Sequence, residues 1–173
     1  MIKFKIIKQE TIPSALEMAK RYRMLNEPEV AQSICQDILT IDPDNQEALI
    51  TLLLALTDNI SVIGKNSSFD KAKEVVQELS SDYCKAYYSG IIYERKAKYH
   101  LKQESPGSGA VAYTWFLEAM KAFGTALRSC DPDNQDAILR WNSCARFINS
   151  HPEVKPDDAD QTEMLLDAFD TPH

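Results

Sequence analysis

Asp42-Pro43-Asp44-Asn45-Gln46-Glu47-Ala48-Leu49 returns as Asp131-Pro132-Asp133-Asn134-Gln135-Asp136-Ala137-Ile138, so the chain repeats one phrase at a spacing of 89 residues, from position 42 to position 131. Each copy follows one amphipathic stretch and precedes another. The proline disfavours helix at the residue before it, and an Asp/Asn-rich turn is suited to starting the next helix. Each copy therefore reads as a helix stop, a tight turn and a helix start, which predicts an all-α protein built of antiparallel helix hairpins.

Working outward, Thr11 and Pro13 predict the start of a first helix that carries Leu16, Ala19, Tyr22 and Met24 and stops near Asn26. Pro28 opens a second, with Val30, Ala31, Ile34, Cys35, Ile38 and Leu39 on one stripe, ending at Asp42. A third, from Asn45 to Thr57, is apolar almost all round, as a helix covered by neighbours must be. Asp58 to Phe69, holding Gly64, Asn66, Ser67 and Ser68, reads as a long loop, and Asp70 as the start of a fourth helix. Two long helices follow, Asp82 to Lys102 and Ala110 to Arg128, joined by the turn-forming Gln103 to Gly109. Gln135 to Ser150 reads as a seventh. Residues 1–11 read as an extended N-terminal arm, 12–150 as the helical domain, and 151–173 as an acidic tail with one short amphipathic stretch, Met164 to Phe169.

The unit from Ile12 to Asn45 is 34 residues long and resembles a tetratricopeptide repeat. Ala19-x-x-Tyr22 stands where that family has Gly-x-x-Tyr, Ala31 at its small residue in the second helix, and Pro43 where its proline closes the unit. Gly90-x-x-Tyr93, Ala126 and Pro132 repeat the signature loosely. The resemblance implies a stacked α-solenoid of about three hairpins plus a C-terminal capping helix. Since 89 is not a multiple of 34, a plain tandem array is excluded. It also implies a protein-interaction module or adaptor whose first helices line a concave peptide groove. Carried over helix by helix, the groove residues are Leu16, Lys20 and Arg23, then Ile50, Leu54 and Thr57, then Tyr87, Ile91 and Glu94, then Leu139, Ser143 and Arg146. Some members clamp a C-terminal carboxylate with paired Lys and Asn. Lys20 suits that role, but Leu54 stands where the Asn is needed, so that clamp is not expected, while Lys20, Arg23 and Arg146 can still meet an acidic partner.

Composition narrows the rest. Hydrophobic residues at 44% and charged residues at 26% suit one globular domain, and five glycines speak against a turn-rich β fold. The net charge of −7 argues against nucleic-acid binding, which needs a dominant basic face. The excess acid sits in residues 26–82 and 151–173, whereas 1–25 and 83–150 are basic, so the tail is expected to dock on the body. Met1 to Ile7 lacks a signal-peptide core and the longest apolar run is too short to span a bilayer, so no membrane is expected and the cytoplasm is the expected setting. Cys35, Cys84, Cys130 and Cys144 form no C-x-x-C pair and are expected to be buried thiols.

No catalytic or metal-binding constellation emerges, and no cofactor is expected. His100, His151 and His173 lack partners at ligand spacing. Gly64-Lys65-Asn66 lacks the first glycine and the Ser or Thr of a phosphate loop, and Asp157, Asp158 and Asp160 lack the glycine and distant glutamate of a calcium loop. Two alternatives to the interaction module stand beside it. One is a small-molecule pocket among Tyr87, Tyr93 and Trp115; the other is a homo-oligomer joined through the apolar third helix and the tail.

Overall fold

The computed structural model describes residues 2–58 and 66–157, the side chains of 66 and 67 excepted. Among them are seven α-helices and no strand: α1 (Ile12–Met24), α2 (Pro28–Ile41), α3 (Gln46–Asp58), α4 (Asn66–Gln77), α5 (Asp82–Lys102), α6 (Ser108–Ala126) and α7 (Asp136–Ser150). Each helix packs on the one before and the one after it, and α1 also packs on α3. The expected stretch from Met164 to Phe169 lies outside the described residues, as do residues 59–65 of the expected loop.

Both copies of the repeated phrase perform the same local task. The Asn45 amide N–H donates to the Asp42 carbonyl at 3.2 Å and that of Asn134 to the Asp131 carbonyl at 2.9 Å, closing the two turns. The Asn45 side-chain oxygen then accepts from the Ala48 N–H at 2.9 Å, capping α3, and the Asn134 oxygen accepts from the Asp136 N–H at 3.0 Å. Each turn is also gripped by a residue distant in the chain. Gln46 Oε1 accepts from the Ser80 N–H at 2.8 Å, and Asn134 Oδ1 accepts from the Tyr83 hydroxyl at 3.2 Å.

α1 stops because Asn26 takes a left-handed backbone (φ 60°), a conformation asparagine tolerates better than most residues. The Glu27 N–H reaches the Tyr22 carbonyl at 2.9 Å and the Asn26 N–H the Arg23 carbonyl at 3.0 Å, which satisfies the last carbonyls of the helix. α3 is buried on most of its surface by α1, α2 and α4, with Leu49, Leu53 and Ala55 in the main core. Its apolar girth is thus used within the chain, which removes that argument for a homo-oligomer. α5 and α6 form a long hairpin whose close approach depends on Gly90: a Cβ there would stand 2.5 Å from Phe123 Cε1.

Three expectations need correction. Thr11 does not cap α1: its hydroxyl donates to the Lys8 carbonyl at 2.6 Å, because the 3₁₀ turn Gln9–Thr11 runs straight into the helix and leaves Thr11 with helical dihedrals. α4 begins at Asn66, four residues before Asp70; Asn and Ser are depleted in helix interiors but suited to helix starts. α6 begins at Ser108 and ends at Ala126, which leaves Cys130 beyond the helix and half-buried, as Cys84 is also. Residues 151–157, the described part of the acidic segment, pack on the helical body. Val154 is buried, and the Glu153 carbonyl lies where a Cβ on Gly109 would be 2.0 Å away, so this segment seats against the start of α6. In the N-terminal arm, Ile2, Phe4 and Ile6 are exposed, and Ile7 packs against Ile12 and its neighbours.

Candidate partner-binding cleft

The C-terminal ends of α1, α3 and α5 converge on an open cleft of about 380 Å³ lined by Arg23, Met24, Asn26, Thr57, Asp58, Arg95, Lys98, Tyr99 and Lys102. The α5 contribution follows from helix geometry, since positions 95, 98, 99 and 102 fall at i, i+3, i+4 and i+7 and so share one face. Asp58, the last residue of α3, holds the cleft together. Its Oδ2 accepts from Arg23 Nε at 2.9 Å, and its Oδ1 accepts from Arg95 Nη1. Arg95 Nη1 also donates to the Leu54 carbonyl at 3.1 Å and to the Thr57 hydroxyl, so the guanidinium caps the carbonyl end of α3. Burial pulls the Arg95 pKa below its ordinary value and the Asp58 carboxylate pulls it back up, which leaves an arginine that is still a cation near neutral pH.

Next to the cleft, Glu94 is 1% exposed and is held by Lys98 Nζ at 2.6 Å and Arg140 Nη2 at 3.1 Å, tying α5 to α7. The Arg140 contact is at ion-pair distance without hydrogen-bond alignment: Glu94 Oε2 and Arg140 Nε are both buried without a hydrogen-bond partner. A buried carboxylate between two cations is an anchor whose removal strands charge. Lys20 makes the equivalent link between α1 and α3, donating to Glu17 at 2.9 Å and to Glu47, and these hydrogen bonds raise its pKa.

The expected groove residues therefore separate. Arg23 lies in the cleft, Lys20 is held outside its lining by Glu17 and Glu47, and Leu54 offers its carbonyl to Arg95. Leu16 and Ile91 are buried in the core and Glu94 in its ion pairs, so none of the three is open to a partner. Tyr87 is half-buried, stacked on Tyr83 at 5.6 Å and tilted against Phe123 at 5.8 Å. Leu139 and Arg146 are exposed on α7, away from the residues that line the cleft. Sequence reasoning missed Asp58, Arg95, Lys98, Tyr99 and Lys102. The basic i, i+3, i+7 stripe of the fifth helix was a signal open to it.

The aromatic residues of the long hairpin fill space rather than enclose it. Trp115 meets Phe69 edge-on and Tyr93 at a tilt, both at 5.6 Å, and Lys96 Nζ sits 3.6 Å from the Phe69 ring centre. The space that Tyr93 helps line is about 40 Å³, against the several hundred that a small-molecule site needs. Burial pushes the Cys35 and Cys144 thiols up to about 12, so they are poor nucleophiles and poor ligands. Among the described residues no three His, Cys, Asp or Glu side chains gather as metal ligands, and no helix is long and apolar enough to cross a membrane. No family model matches the chain, and neither a curated protein nor a solved structure is significantly similar to it.

Proposed function

We propose that this chain is a protein-interaction module that receives an acidic segment of a partner protein on the face formed by the C-terminal ends of α1, α3 and α5. One observation carries the reading. In a chain of net charge −7, Arg23, Arg95, Lys98 and Lys102 converge on one cleft where, among the described residues, Asp58 is the single carboxylate of the lining. Local charge of that kind attracts an acidic segment, selects against basic ones and fixes its register. The tetratricopeptide-like architecture is part of the proposal. Nearest-neighbour packing, the contact of α1 with α3, and fully buried Ala19 and Ala31 at the small-residue positions support hairpins stacked as an α-solenoid. The cytoplasm remains its proposed setting, supported by four cysteines that stand as free thiols.

The test is a fluorescence-anisotropy titration with acidic, neutral and basic peptides at low and high salt. Acidic peptides bind, weaken as salt screens the charges, and weaken again with Lys102→Glu, an exposed residue whose change leaves the core intact. Equal binding of acidic and basic peptides overturns the reading, as does acidic binding indifferent to Lys102→Glu.

A further inference from the structure

We infer that the cleft between α1, α3 and α5 is a phosphoryl site, taking a phosphoserine or phosphothreonine side chain within the partner's acidic segment. The inference rests on the preceding reading and concerns which anion fits. Among the described residues that line the cleft, Arg23, Arg95, Lys98 and Lys102 supply four cations and Asp58 one carboxylate, a surplus of three positive charges, while Glu94 and Arg140 next to it offset each other. The same cations also face three helix ends: α1, α3 and α5 all terminate at the cleft, and each C-terminus carries roughly half a negative charge. After that offset about 1.5 positive charges remain. A phosphorylated side chain carries about −1.5 to −2 at neutral pH, which matches the surplus, whereas one carboxylate leaves part of it unmet.

The donors are arranged to suit. Asp58 takes Nε of Arg23, and among the described residues the two terminal nitrogens of that guanidinium hold no hydrogen bond. Arg95 spends Nη1 on Asp58, Thr57 and the Leu54 carbonyl, which fixes the plane of its guanidinium and leaves Nη2 without a partner among the described residues. Lys102 makes no ion pair among them and lies at the end of α5, its long stem able to swing over a bound anion. Asp58 already occupies the seat between the two arginines that a partner's carboxylate would take. A tetrahedral group with three acceptor oxygens can instead address Arg23, Lys98 and Lys102 around it. Tyr99 and the exposed Met24 border the cleft and offer apolar surface to the carbon stem of the modified residue.

The experiment compares three degenerate peptide libraries, identical except for a central phosphoserine, glutamate or serine, by anisotropy with the whole chain. Phosphoserine binds roughly ten-fold tighter than glutamate, and Lys102→Ala and Arg23→Lys each remove much of that preference. Circular dichroism and the melting temperature confirm that both variants are folded. Equal binding of the phosphoserine and glutamate libraries overturns the phosphoryl assignment while leaving an acidic-segment module standing. Failure of both libraries overturns both. A preference for phosphoserine that survives intact in both variants also overturns it, because the anion is then bound elsewhere. If an unphosphorylated peptide of residues 158–173 competes as well as the phosphoserine library, the cleft belongs to the chain's own acidic segment and the assignment to a partner fails.

Discussion

Replacing Asp58 by asparagine separates stability from binding in one residue. The carboxylate joins Arg23 and Arg95, and the three side chains are only 23%, 20% and 27% exposed, well away from the fully exposed pairs that contribute little. A charge-assisted hydrogen bond at such a site is worth about 1.5–3 kcal/mol. Asparagine keeps the shape and one acceptor oxygen but removes the charge, and it leaves two guanidinium groups facing each other without their counter-ion. Discounting for the residual solvent gives a loss of about 2 kcal/mol, or roughly 4–8 °C in melting temperature for a chain of this length. Affinity for an acidic or phosphorylated peptide moves the other way. Removing this repulsive carboxylate from the cleft lining tightens binding by roughly five-fold at low salt, about 1 kcal/mol, and by less at high salt. Differential scanning calorimetry and anisotropy on the same preparation measure both quantities. A variant that melts within about 1 °C of the parent refutes the claim that Asp58 ties α1 to α5. A folded variant that binds acidic peptides more weakly refutes the claim that the cleft is an anion site.

Three further outcomes are expected. Gly90→Ala destabilises by about 1 kcal/mol although alanine is the better helix former, because the added Cβ would stand 2.5 Å from Phe123 Cε1 and overpacking exceeds the propensity gain; chemical denaturation that shows a gain in stability removes the argument. Asn45→Ala costs about 1 kcal/mol by leaving the Ala48 N–H without its cap, so the urea midpoint falls, and an unchanged midpoint would mean that solvent replaces the cap at no cost. A thiol reagent labels Cys84 and Cys130 in the folded chain and reaches Cys35 and Cys144 only on unfolding. Since burial raises the folded-state pKa of those two from 9.0 to about 12, the unfolded chain releases protons first; stability is fully present below pH 9 and declines between 9 and 12, with a shallower slope when Cys35 is replaced by alanine.

The helices were largely legible because a 3.6-residue apolar period over a dozen or more residues leaves few alternatives. Where the reading slipped, composition was ambiguous. Asn66, Ser67 and Ser68 spell a loop as readily as a helix start, and only the packing of α4 on α3 and α5 selects the helix. The site was harder for a different reason. Glu94 meets Lys98 at i+4, which a helical wheel shows, but its second cation, Arg140, lies on another helix. Asp58 lies 35 residues from Arg23 and 37 from Arg95, and nothing in the spacing announces that they meet. Leu16, Ile91 and Glu94 were placed on the groove by analogy with regular repeats, but packing buries all three, and on α5 it is Arg95, Lys98 and Lys102 that face the cleft.

By itself the sequence determined that the chain is helical, where it turns, and that Asp-Pro-Asp-Asn-Gln at 42–46 and 131–135 hands one helix over to the next, since these depend on contacts within a few residues. The tertiary structure alone decided that cations from α1 and α5 gather around the last residue of α3, since that depends on which helix ends converge once the hairpins pack. A net charge of −7 conceals a cationic cleft because charge counts add over the whole chain, while Coulomb attraction acts over a few ångströms.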